Sequence, residues 1–288
     1  MSKIALVTDK KIAETSSKGN QEKWFDKESN LWYKLDAFGY EALSEQVVSR
    51  MLEYSNIERE TPFRFVRYSI DRVNVHGRER TVSVSENFLG VDESIITIAS
   101  LLTRSLGEPV TKRLGMFNSD KKRIEFLGNK TAEITGLDRF GEYLTLLFEI
   151  DSLFLNDDRH LNNIAVIKKD GGYDYCPIFD NGAALLSNVG MSPMDIEPKA
   201  LIGSLVARPF MTTFTRQMKS AEAVWGRVLE IPRFTRAEIA EIVRPALEFY
   251  PERDRALILN RIVTCIIARQ GAVTFGKTEK DQKINKKA

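Results

Sequence analysis

From residue 31 to about residue 89 the apolar positions mostly alternate with polar ones, and beyond residue 90 they recur mostly at helical spacing. The runs LWYKL (31–35), FRFVRYSI (63–70) and TVSVS (81–85) predict short strands. Between the first two, 41–54 predicts an amphipathic helix with two stripes: Leu43, Val47, Met51 and Tyr54 on one, Glu41, Glu45, Val48 and Leu52 on the other. A stripe that opens with carboxylates and becomes apolar fits a helix whose first turns approach a wet cleft. Further helices are predicted over 92–106, 137–155, 198–207, 235–248 and 253–270, several opened by Asp, Thr or Pro. Between the second and third of these, NIAVI (163–167) and YCPIF (175–179) flank KKDGG and predict a hairpin. The chain therefore reads as α+β and bilobal: a small β-rich lobe with one main helix (1–89), a larger, mostly helical lobe (90–276) and a basic, disordered tail (277–288).

The most informative stretch is LNDDRHLNNIAVIKKDGGYDYCPIFDNG, 155–182. It sets Asp158 and Asn163 before a hairpin and Asp180 after it. Phosphoryl transfer from ATP needs a carboxylate to orient the acceptor hydroxyl and oxygen ligands for Mg²⁺, and this order matches the catalytic loop and metal-binding segment of a protein-kinase-like fold. Asp158 is the candidate catalytic residue, with Asn163 and Asp180 as metal ligands; Asp157 is the weaker candidate, six residues before Asn163. His160 belongs to the same catalytic loop, where its imidazole is expected to hold the loop backbone or the DNG triplet (180–182) by hydrogen bonds rather than to act as base.

The first lobe must hold the ATP phosphates. Lys34 shares a strand face with Trp32 and is the candidate ATP lysine; Glu45 is its expected partner, with Glu41 as the alternative. Upstream, TSSKGNQEKW (15–24) lies where a phosphate-covering loop belongs, with Ser16, Ser17, Gly19, Asn20 and Gln21 as its ATP-facing positions. SENFLG (85–90) joins the lobes as a hinge, where Glu86 and Phe88 would meet adenine.

Composition narrows the function classes. Lys and Arg number 42 against 40 Asp and Glu, a formal charge of +2, so no global field draws the chain to nucleic acid or an anionic membrane. Cys176 and Cys265 lie far apart without metal-ligand spacing and are expected as buried thiols. No run approaches the roughly 20 apolar residues of a membrane span, and the N-terminus lacks the apolar core of a signal peptide, so a monomeric cytoplasmic protein is expected.

Three motifs together resemble the HipA-like serine/threonine kinases, the toxin kinases of bacterial toxin–antitoxin systems and their relatives. SSKGNQEK (16–23) is similar to the family's phosphate loop, NDDRHLNN (156–163) to its catalytic loop and DNG (180–182) to its metal-binding triplet. The resemblance spans 15–270 and implies ATP and Mg²⁺ as cofactors, a protein substrate, an antitoxin or other regulator as partner, and autophosphorylation at Ser16 or the adjacent Ser17. A phosphate there would repel the ATP phosphates. The longer toxin kinases carry an additional N-terminal subdomain that contacts the antitoxin; this chain resembles the shorter, stand-alone members.

Overall fold

A computed structural model describes residues 6–7 and 21–272. The phosphate-loop positions Ser16, Ser17, Gly19 and Asn20 and the basic tail lie outside the described residues. The first third of the chain builds a five-stranded sheet from β1 (Leu6–Val7), β2 (Lys23–Asp26), β3 (Leu31–Leu35), β4 (Ser69–Val75) and β5 (Arg78–Glu86), in the order β1-β4-β5-β3-β2. Only β1 runs parallel to its neighbour, β4. The pleat of β3 sends Tyr33 and Leu35 to the face carrying Trp24, Val73, Val75, Val82 and Val84, a small apolar cluster in which Trp24 and Tyr33 stack at 5.3 Å. The opposite face carries Lys34 toward helix α1 (Glu41–Leu52), which is followed by the one-turn helix α2 (Ile57–Glu60).

The predicted strand at 63–70 is mostly not laddered: Phe63 and Phe65 are drawn into the main core, a single bridge joins Phe65 to Ile178, and pairing starts at Ser69. The predicted helix at 92–106 is also shorter. Its β-branched opening, Ile95-Ile96-Thr97, forms β6 (Ser94–Thr97) against β7 (Ala165–Lys169), and Thr97 then caps α3 (Ile98–Leu106) by accepting from the Ser100 N–H. The hairpin is tighter than expected: β7 returns as β8 (Gly172–Tyr175) through Asp170-Gly171, with Gly171 at φ 74°. Pro177 follows and cannot donate to a ladder.

Helices α4 (Val110–Gly115), α5 (Asp120–Thr135), α6 (Phe140–Phe154), α7 (Pro198–Ser204), α8 (Phe214–Trp225), α9 (Arg236–Val243) and α10 (Glu252–Arg269) complete the helical part. Helices α4, α5 and α8 lie outside the predicted set, and 235–248 ends as a 3₁₀ turn (Arg244–Phe249). Cys176 and Cys265 are free and buried, as expected. No helix among the described residues is long and apolar enough to cross a membrane.

The main core is continuous from α1 into the helical part, joining Leu43, Val47, Met51 and Leu52 with Leu144, Phe148, Ile239 and Ile262. Tyr54, expected on that stripe, is instead exposed beyond the helix end. Where α5, α6 and α8 meet, Gly128 and Gly141 leave a slot for the Trp225 indole, and a Cβ at Gly141 would overlap its ring. Gly141→Ala is expected to cost about 1–3 kcal/mol through overpacking. Denaturant midpoints measure this; an unchanged midpoint would show that the slot can widen.

Candidate active site

Helix α1, the hairpin β7–β8 and strand β3 converge on the DNG triplet. Lys34 Nζ lies 2.5 Å from Asp180 Oδ1 and 3.6 Å from Glu45 Oε1. Glu45 Oε2 accepts the Asn181 N–H at 2.8 Å, and the Ser44 hydroxyl donates to the carbonyls of Asn181 (2.9 Å) and Ala184 (3.0 Å). Lysine, glutamate and triplet are thus one hydrogen-bonded unit. Glu41, the alternative partner, instead accepts the Phe38 N–H at 2.7 Å and helps close the N-terminal end of α1. Asp36 accepts from the Ala42 N–H (2.6 Å) at the same end and takes the Tyr250 hydroxyl on its other oxygen (2.7 Å).

Burial dominates the electrostatics. It pushes the Glu45 carboxyl up to about 7, with Lys34 opposing and Asp180 adding to the rise. Burial would also depress the Lys34 ammonium, but Asp180 and then Glu45 outweigh it and hold Lys34 above its usual range. Asp180 moves the other way: burial favours its neutral form, yet Lys34 holds it below the usual carboxylate range.

The second half of the site is the loop after α6. Asp158 is 47% exposed, donates its backbone N–H to Asn156 Oδ1 (3.2 Å) and pairs through Oδ1 with Arg208 Nη1 at 3.1 Å. Asn163 donates its side-chain N–H to the Asp158 carbonyl at 3.0 Å, which leaves its side-chain Oδ1 available. Asp157, the competing carboxylate, is raised to about 6 by burial and then by Asp158, with Arg208 opposing. Asn156 also donates to the Asp180 carbonyl (3.2 Å), bonding loop and triplet directly.

The His160 imidazole does not make the expected hydrogen bonds to the loop backbone or the triplet among the described residues. Its Nε2 lies 3.9 Å from Asp158 Oδ2, and its buried Nδ1 makes no hydrogen bond. The residue that clamps loop to triplet is Arg159, with 0% side-chain exposure. Its guanidinium donates to Asp151 (3.2 Å), the Phe179 carbonyl (2.7 Å), the Asn163 carbonyl (3.3 Å) and Asn181 Oδ1 (2.7 Å). The physical reason is reach: a planar fork of five donors can bond the backbone of both arms at once, and an imidazole offers two nitrogens.

Lys23 was also not singled out from sequence. It sits directly opposite Lys34 in the β2–β3 ladder and so shares its face. Burial lowers its ammonium below the usual range; Asp180 opposes this and Lys34 reinforces it. The two ammonium groups repel one another, and Asp180 offsets this for both. Recognising the turn DKESN between β2 and β3 would have exposed the pairing. Gln21 donates to the Leu35 carbonyl at 3.5 Å, at the entry to β2. In the predicted hinge segment, Glu86 ends β5 and is exposed, whereas Phe88 packs 6.3 Å from Phe179. Asn87 fixes the turn, accepting from the Trp32 indole (3.2 Å) and donating to the Leu89 carbonyl (3.2 Å).

The crystal structure of the Helicobacter pylori proinflammatory kinase CtkA matches this chain with a TM-score of 0.59 over 90% of each chain, at 13% identity. The fold is that of a kinase. The kinase architecture implied by the resemblance of 156–163 and 180–182 is therefore the one found, with a sheet at the N-terminal side and a larger helical part. HipA of Shewanella oneidensis MR-1, solved with HipB and operator DNA, matches with a TM-score of 0.46 at 14% identity; 90% of this chain is covered and 65% of that one. No family model and no curated protein sequence matches the chain.

Among the described residues no group of three or more His, Cys, Asp or Glu could hold a metal unaided. The donors present fit Mg²⁺ that arrives with a nucleotide. Asp180 meets Lys34 through Oδ1 only, Asn163 keeps its side-chain Oδ1, and magnesium commonly takes one or two protein ligands while sharing phosphate oxygens and water.

Proposed function

We propose that the chain is a Mg²⁺-dependent, ATP-using serine/threonine protein kinase of the HipA-like type. The carrying observation is the Lys34–Asp180–Glu45 cluster, hydrogen-bonded to a loop that presents Asp158 and Asn163 within a kinase fold. In this reading residues 1–89 and 90–276 are the two lobes, Lys34 and Lys23 hold phosphate oxygens, Asn163 and Asp180 hold Mg²⁺, and the backbone of 86–88 meets adenine. The metal would neutralise charge on the phosphates. Glu45 orients Lys34, and Asp158 takes the acceptor proton.

A polypeptide acceptor is favoured over a lipid or small molecule by the segment after the triplet. Met191, Ile196, Val206 and Met211 on it are exposed, large and apolar, and it carries Arg208 to Asp158. Arg261 on α10 anchors it by donating to the carbonyls of Ser192 (2.5 Å) and Pro193 (2.5 Å).

The test is incubation with γ-labelled ATP and Mg²⁺, followed by mass spectrometry. Label should appear on Ser16 or Ser17, vanish when Mg²⁺ is chelated, and be lost in the double variant Ser16→Ala/Ser17→Ala. Binding of MgATP without label reaching either the chain or an added serine-rich protein would sink the transfer reading.

A further inference from the structure

We propose that Arg208 is a catalytic residue, supplied by the segment between the DNG triplet and α8 to bind the transferred γ-phosphoryl group alongside Asp158. The inference rests on the kinase reading and adds to it a cation on the acceptor side. Both lysines lie on the sheet side, on β2 and β3, and neither is part of the loop that presents Asp158.

The geometry singles out Arg208. Its Nη1 lies 3.1 Å from Asp158 Oδ1, and its side chain is 44% exposed, so a ligand at Asp158 can reach it from solvent. Its backbone is fixed: Gln217, buried on α8, donates to the Arg208 carbonyl at 2.7 Å. Ala207 and Thr212 exchange both backbone hydrogen bonds, at 2.7 and 3.3 Å, closing a small loop. Phe210 seats that loop on Phe148 at 6.2 Å. A surface arginine with no function has no need of a pinned loop to aim it at a half-exposed carboxylate.

The chemistry requires such a group. The acceptor oxygen forms a bond to the γ-phosphorus while the bond from that phosphorus to the β–γ bridging oxygen breaks. That electron pair leaves with ADP, and the hydroxyl proton passes to the Asp158 carboxylate. An acceptor hydroxyl hydrogen-bonded to Asp158 stands about 2.7 Å from it, so a guanidinium held on the same carboxylate reaches an equatorial phosphoryl oxygen with a second N–H. Charge spreads onto those oxygens in the transition state, and a donor placed there in advance contributes more to rate than to ground-state affinity.

The experiment is calorimetric and needs no acceptor: binding of MgADP, and of MgADP with aluminium fluoride as a phosphoryl mimic, to wild type, Arg208→Ala and Arg208→Lys. Arg208→Ala should bind MgADP within a few-fold of wild type and lose most of the added affinity for the fluoride complex, with Arg208→Lys recovering part. The corresponding loss of kcat in label transfer is about 10²–10³-fold with little change in KM for ATP. Equal weakening of both ligands would make Arg208 a support of the nucleotide site and overturn the proposal. Unchanged fluoride affinity, or faster transfer in Arg208→Ala, would make the Asp158 contact a brake and also overturn it. A wild-type protein that binds no MgADP would instead fail the kinase reading itself.

Discussion

Asp158→Asn is expected to reduce label transfer by at least about 10³-fold while leaving MgADP affinity within a few-fold of wild type. The amide has the carboxylate's size and can still accept the Arg208 N–H, so the 3.1 Å contact and the turn held by Asn156 have no reason to collapse. What it cannot do is take a proton. Positioned proton transfer contributes about 10²–10⁴-fold, and an amide that donates toward the acceptor hydroxyl also misorients it. Single-turnover rates separate this from a binding defect. Transfer within tenfold of wild type would move the base elsewhere, with Asp157 next in line.

Arg159→Met is expected to cost about 3–5 kcal/mol of stability, because it leaves the buried Asp151 carboxylate without its counter-charge. For a chain of this size that lowers the thermal midpoint by on the order of 10 °C. The loss should also depend on pH. Burial raises the Asp151 carboxyl to about 6 even though Arg159 opposes it, and removing Arg159 can only raise it further. A carboxyl whose folded value is raised contributes its stability fully below the unfolded value and loses it as pH rises through the folded one. Arg159→Met should therefore be less damaging at pH 5 than at pH 8. Replacing both partners, Arg159→Met with Asp151→Leu, should recover part of the loss, since no uncompensated charge remains. Denaturant unfolding at the two pH values measures all three. Equal stability of Arg159→Met and wild type at pH 8 would remove the clamp from the account.

The site's framework was legible where a residue's role follows from its own spacing. LWYKL alternates, so Lys34 had to face away from Leu35, and β3 has the expected bounds. A carboxylate one helical turn into 41–54 had to meet that face or cap the helix, and Glu45 and Glu41 divide those two roles. What was not legible depends on contacts distant in sequence. Arg159 looks like one more charge in DDRH until Asp151 and Asn181 close around it, and Arg208 is 50 residues from the carboxylate it pairs with. Helix α5 was hidden by its polar composition, since its buried stripe is only Ile124, Leu127, Gly128 and Thr131 after Asp120. At 92–97, β propensity prevailed over the helical period because β7 offered a partner.

Helix α1 is tethered at both ends to the larger part of the molecule. At its start, the Tyr40 hydroxyl donates to the Leu185 carbonyl (2.7 Å) and the Tyr40 N–H to Ser187 (3.2 Å). Beyond its end, Asn56 exchanges side-chain and backbone hydrogen bonds with Val228 and Glu230, whose loop is held in turn by Glu149 on α6. Swinging this helix outward to separate Glu45 from Lys34 would mean unzipping a shared core, so on the proposed kinase reading an on–off device built from a mobile helix would be costly here. On that reading a throttle would act elsewhere, on nucleotide entry or at the acceptor's door.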